Sequence, residues 1–184
     1  MVTNIRFYSL FIMTKACIDN FYDSRGSLHK IGGIPSDFSI KQVIVSKTLK
    51  AWTVRGLHYS SPPMEESKII SCIKGKLAWL CIQKNNSEIL HYQLYELSEK
   101  DKIAITLPKG SIHGCISYQD NTEIQILSDS IYSSESSINF KWGNILDKVC
   151  MELLIDKNNL NDFGMSNNPN NLSLDYKELI RTNN

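Results

Sequence analysis

The feature that most restricts the fold is an absence: up to residue 140 the chain shows almost no helical periodicity. In its place stand short runs rich in Val, Ile, Tyr and Thr, cut at intervals by Gly, Pro, Asn and Asp. That is the pattern of strands joined by turns. Strands are expected over 39–48, 53–59, 68–73, 77–82, 89–97, 102–106, 114–117 and 123–129, with 8–13 as an early strand. Ser60-Ser61-Pro62-Pro63, Lys74-Gly75-Lys76 and Pro108-Lys109-Gly110 are the clearest breakers. Many short strands at even spacing imply an all-β sandwich or barrel. From Lys148 the character changes. Residues 158–171 are Asn-rich and loop-like, and 172–181 suit a short terminal helix. The expected division is a barrel over 1–150, including the N-terminal strands, and a loop with a short helix over 151–184 packed on it.

Length and charge narrow the partners. The 184 residues, 42% of them hydrophobic, suit one core with an appended tail. Twenty basic residues face nineteen acidic ones, a formal charge of +1. No global field draws this chain to nucleic acid or an acidic membrane, so an anionic ligand must be held by a few placed cations. The five cysteines are scattered, and none are spaced as CxxC. This argues against a disulfide framework or cysteine zinc site and fits a cytoplasmic protein with reduced thiols. The apolar stretch 8–13 is too short for a membrane span or signal core, and Lys15 follows it.

Of the histidines His29, His58, His91 and His113, two have distinctive settings. His58 closes the run Arg55-Gly56-Leu57-His58-Tyr59 just before a double proline. His113 lies where Leu107-Pro108-Lys109-Gly110-Ser111-Ile112-His113-Gly114 turns into a strand. Strand alternation places Gly56 and His58 on one face and Arg55 and Leu57 on the other. With His58 facing the barrel interior, Arg55 needs a strand end or a twist to reach the same ligand. The residues alone leave His58 open between a packed structural histidine and a site residue. A metal reading lacks ligands: no HxH, HxxE or His/carboxylate cluster accompanies either histidine.

Five ordered strings carry a resemblance. These are Asp23-Ser24-Arg25-Gly26, Arg55-Gly56-Leu57-His58-Tyr59 with Pro62-Pro63, Ser67-Lys68-Ile69-Ile70 with Gly75-Lys76, Leu107 to Gly114, and the segment holding Glu123, Tyr132, Glu135 and Trp142. In this order and spacing, over roughly residues 20–145, the chain resembles the dTDP-4-dehydrorhamnose 3,5-epimerase family. The resemblance implies a jelly-roll barrel of the cupin type (a double-stranded β-helix) without a metal or other cofactor. It also implies a homodimer exchanging N-terminal strands, and epimerisation of a nucleoside-diphosphate 4-keto-6-deoxysugar. The associated role is surface polysaccharide or lipopolysaccharide sugar synthesis. A proton next to a ketone is acidic enough to remove; a base on one face and an acid on the other invert the carbon. Cations near the carbonyl oxygen stabilise the enolate.

By the same resemblance His58 is the general base at C3 or C5, and Lys68 stabilises the enolate. Arg55 and Arg25 contact the diphosphate, where a guanidinium fork suits phosphate oxygens. His113 lines the site and supports the sugar or His58, Tyr132 contacts substrate, and Gln42 and Ser46 make weaker ligand contacts. Three positions depart from the family. Its general-acid tyrosine is Ile126 here, which has no proton to donate. Its histidine-orienting aspartate has no counterpart at Met165-Ser166-Asn167-Asn168-Pro169. Among its nucleotide-binding strands, Lys30 stands for an acidic residue, Leu28 for phenylalanine and Ile44 for asparagine. Three readings follow: a divergent epimerase, a sugar-nucleotide-binding homologue with impaired catalysis, and a metal-dependent cupin enzyme.

Overall fold

The computed structural model describes residues 14–16, 18–84, 90–101 and 103–161. The expected strand at 8–13 and the expected helix at 172–181 lie outside the described residues. Among the described residues twelve strands, one helix and one 3-10 turn follow in order. They are β1 Thr14–Ala16, β2 Ile18–Asp23, β3 Gly26–Ile31, β4 Gln42–Thr48, β5 Val54–Ser60, β6 Lys68–Lys74, β7 Lys76–Lys84 and β8 Leu90–Ser98. Then come β9 Ala104–Leu107, β10 Ile112–Ser117, β11 Thr122–Ser128, β12 Ser137–Asn139, helix α1 Gly143–Glu152 and the turn Lys157–Asn159. The eight expected strands within the described part are all present, with ends shifted by a few residues.

Two five-stranded antiparallel sheets form the barrel, in the orders β1-β9-β6-β11-β4 and β12-β5-β10-β7-β8. The chain steps repeatedly from one sheet to the other, which makes the barrel a jelly roll. The β2–β3 hairpin stands as a separate two-stranded ribbon. Inside the barrel, Ile70, Ile105, Ile124 and Ile126 of the first sheet meet Leu77, Trp79, Cys81 and Cys115 of the second. Outside the second sheet, Val54, Leu57, Leu80, Ile82, Ile112 and Ile116 are covered by Phe140, Trp142 and the α1 residues Ile145, Leu146, Val149 and Cys150. Helix α1 was not expected from the sequence. It is ten residues long, and Trp142 at its N-cap makes no side-chain capping bond, so the start signal is missing.

One local feature overturns the expected strand geometry. Strand β10 pairs His113 with His58 and then Gly114 with Gly56, so Leu57 is an extra residue on β5. Such a bulge interrupts the alternation. Leu57 turns outward beside Val54 in the helix-covered cluster. Arg55 and His58 therefore share the inner face, not opposite ones. Glycine is required at both paired positions. A Cβ on Gly56, whose φ is +94°, would lie 2.7 Å from the His113 carbonyl oxygen, and one on Gly114 would lie 2.6 Å from Trp142 Cζ2.

Candidate active site

Cross-strand register sorts the inner face of the first sheet into layers. The outermost places Gln42, Ser128, Lys68 and Leu107 side by side across β4, β11, β6 and β9. The next places Ile44, Ile126, Ile70 and Ile105 in one row. The third holds Ser46, Ile124 and Cys72. Polar groups thus occupy the outermost layer and part of the third, with an all-isoleucine layer between.

Lys68 is tightly held at the outer layer. Its Nζ donates to Glu66 Oε1 at 2.8 Å and to His113 Nε2 at 2.7 Å. Glu66 also accepts from Ser60 Oγ at 2.8 Å and from Ser128 Oγ at 2.6 Å. An ammonium carries three hydrogens; among the described residues Glu66 and His113 take two, and one is left for a ligand oxygen. Burial works to raise the Glu66 pKa, but the Lys68 charge and the three donors outweigh it and hold the carboxyl below its ordinary value. Glu66, Ser60 and Ser128 were not expected from the sequence. The available signal was a carboxylate two residues before the lysine, weak by itself.

The two histidines differ in role. His113 is buried, and its Nδ1 donates to the His58 carbonyl oxygen at 3.1 Å. With Nε2 accepting from Lys68, both ring nitrogens are used and the ring is neutral. Burial, then the Lys68 charge and His58, hold its pKa well below 6.5. His113 therefore buttresses Lys68 and the His58 backbone rather than the His58 ring, although the rings stand edge to face with centroids 5.9 Å apart. His58 is open to solvent on one side and enclosed by protein on the others. Burial lowers its pKa; a hydrogen bond with Asn139 opposes this, Lys68 and Arg55 add to it, and Glu66 opposes it. The net shift is downward, so His58 is a neutral imidazole near neutral pH. Its Nδ1 lies 2.5 Å from Asn139 Oδ1, and among the described residues Nε2 has no hydrogen-bond partner. Asn139 also escaped the sequence reading; only the β12–β5 register brings it opposite His58.

The remaining expected residues fall into separate groups. Arg55 donates to Ser46 Oγ and to the Lys47 carbonyl oxygen, each at 3.1 Å. Gln42 Oε1 accepts from the Tyr132 backbone N–H at 3.0 Å, while the Tyr132 side is exposed. From the Gln42 layer to the Ser46 layer is four residues, about 13 Å along the strand. Arg25 stands apart: it caps the β2–β3 turn, pairs with Asp23 at 2.6 Å and is 88% exposed. Within the described residues Arg25 bonds to Asp23 and does not meet the other site residues. Ile126 is buried in the core. No three His, Cys, Asp or Glu side chains among the described residues gather as a metal ligand set. The Cys81 and Cys115 thiols are pushed up to about 12 by burial, so neither is a nucleophile.

Comparison with known proteins places this architecture. Residues 17–153 match the model of the dTDP-4-dehydrorhamnose 3,5-epimerase family, and the chain belongs to that family. A dTDP-4-dehydrorhamnose 3,5-epimerase of Shigella flexneri is 28% identical over 108 residues, which cover 53% of this chain and 59% of that one. One from Sinorhizobium fredii is 26% identical over 111 residues, covering 59% of this chain and 57% of that one. The chain spans about half the length of the curated relatives it matches. Among solved structures, a double mutant of a 3'-monoepimerase from Streptomyces bikiniensis in complex with dTDP superposes with a TM-score of 0.72 at 15% identity. It covers 95% of this chain and 87% of that one. The likeness to it is one of fold.

Proposed function

We propose that this chain is a cytoplasmic epimerase of nucleoside-diphosphate 4-keto-6-deoxysugars. It inverts C3, C5 or both by removing and returning the proton next to the keto group, in synthesis of a surface polysaccharide or lipopolysaccharide sugar. The observation that carries this reading is the pairing of an open His58 Nε2 with Lys68, whose remaining N–H is unspent. A neutral imidazole takes the carbon proton, and the ammonium stabilises the oxygen on which charge develops. The Arg55 end, three residues back along β5 from His58 and bonded to Ser46, suits the diphosphate.

The assembly proposed is a homodimer that exchanges N-terminal strands. The β2–β3 ribbon exposes Phe21, Tyr22 and Leu28, and the outer face of β4 exposes Val43 and Val45. A second copy would cover these faces and bring an Arg25 to each site.

The test is deuterium uptake from solvent into a panel of nucleoside-diphosphate 4-keto sugars, with His58→Ala alongside. Uptake that falls by about 10²-fold or more in the variant is expected. Absence of His58-dependent uptake across the panel rejects turnover. One observation favours a second reading, binding without turnover: Ile126, inside an unbroken isoleucine layer, stands where the family places its acid. That reading predicts calorimetric binding, weakened by Arg55→Ala, with no uptake.

A further inference from the structure

We propose that Asn139 is a positioning residue that fixes His58 in the Nδ1–H form, leaves Nε2 as the proton-accepting atom, and gives the ring no counter-charge. The inference rests on the epimerase reading for its catalytic meaning but not for its geometry. Asn139 lies directly opposite His58 in the β12–β5 register, is 8% exposed, and places Oδ1 2.5 Å from Nδ1. An amide oxygen has no hydrogen to give, so the ring nitrogen facing it must carry one. The opposite orientation of the carboxamide would put an N–H against Nδ1 and drive the hydrogen onto Nε2. His58 would then have no lone pair facing the open side. The direction in which one amide sits decides whether this imidazole is a base at all.

The charge of the partner matters as much as its direction. Four elements bring polar groups against His58: Asn139 from β12, Lys68 with Glu66 at the start of β6, His113 from β10, and Arg55 on its own strand. Glu66 is already bonded to Lys68, Ser60 and Ser128. Among the described residues no carboxylate hydrogen-bonds the His58 ring, while Lys68 and Arg55 both disfavour a protonated one. A carboxylate at Nδ1 would stabilise the imidazolium and keep His58 protonated to higher pH. A carboxamide supplies the orientation without that effect. His58 thus stays an available base as the medium becomes more acidic, and it returns a captured proton readily.

The measurement is long-range nitrogen–proton NMR of the histidine rings in uniformly labelled full-length protein, assigned with His58→Gln and titrated with pH. Wild type is expected to show His58 as the Nδ1–H form. Asn139→Asp is expected to raise its titration midpoint by about one unit or more, and Asn139→Ala to show both ring forms. In the exchange assay the acidic limb of the rate profile should move upward with Asn139→Asp by the same interval. An Nε2–H ring in wild type overturns the proposal, as does an unmoved midpoint in a folded Asn139→Asp protein. If Asn139→Asp fails to fold, the wild-type ring form decides. Absence of solvent exchange with every substrate would reject the epimerase reading, while the NMR result would still judge Asn139.

Discussion

Two ionisable groups beside Lys68, His113 and Glu66, are set by their neighbours, and this gives stability a direction in pH. His113 is held neutral, its pKa well below the ordinary 6.5. As pH falls through about 6.5 the unfolded chain gains a proton that the folded chain refuses, so folding stability drops. Glu66, held below its ordinary 4.5, acts in the same sense at lower pH. Its contribution is present above that value and is lost as pH falls through the folded-state pKa. The midpoint of thermal unfolding should therefore decline between about pH 7 and about pH 5. His113→Gln should show a smaller decline over that interval, measured by circular dichroism; an equal decline would remove His113 as the cause. Residues of this kind were partly legible in the sequence. His58 and Lys68 stand in recognisable strings. Glu66 and Asn139 do not, because their roles come from which strand lies opposite.

The decisive element is the β5 bulge. Eight strands could be read from β-branched runs and breakers, yet the alternation rule gave the wrong face for Arg55. One extra residue, Leu57, escapes a period of two and is fixed only by the partner strand β10. The β2–β3 hairpin escaped for another reason: it is exposed over most of its length, so burial imposes no alternation on it. Gly56→Ala tests the bulge directly. The added Cβ meets the His113 carbonyl oxygen at 2.7 Å on a backbone with φ of +94°. It should cost about 2–4 kcal/mol, read as a lower urea midpoint. A change within about 0.5 kcal/mol would show that the bulge tolerates a side chain.

At the scale of the molecule, the described residues leave apolar surface exposed. A two-stranded ribbon is marginal by itself in water, and β4 is an edge strand whose outer Val43 and Val45 are 56% and 60% exposed. Sedimentation should give twice the chain mass at micromolar concentration. Phe21→Glu with Leu28→Glu should shift the protein toward monomer and reduce solvent exchange with it. A monomeric wild type would end the strand-exchange proposal. None of this was legible from local patterns; the homodimer expectation came entirely from the family resemblance.

The isoleucine layer has a consequence for what the isotope assay counts. A proton lifted by His58 and handed back by the same ring returns to the face it left, and the carbon keeps its configuration. Only a donor arriving from the other side changes handedness, and Ile44, Ile126, Ile70 and Ile105 offer none. Label uptake and stereochemical outcome are thus separate quantities in this barrel. Their ratio is governed by whatever donor other than His58 reaches that second face, and Ile126, buried in the core, is not one.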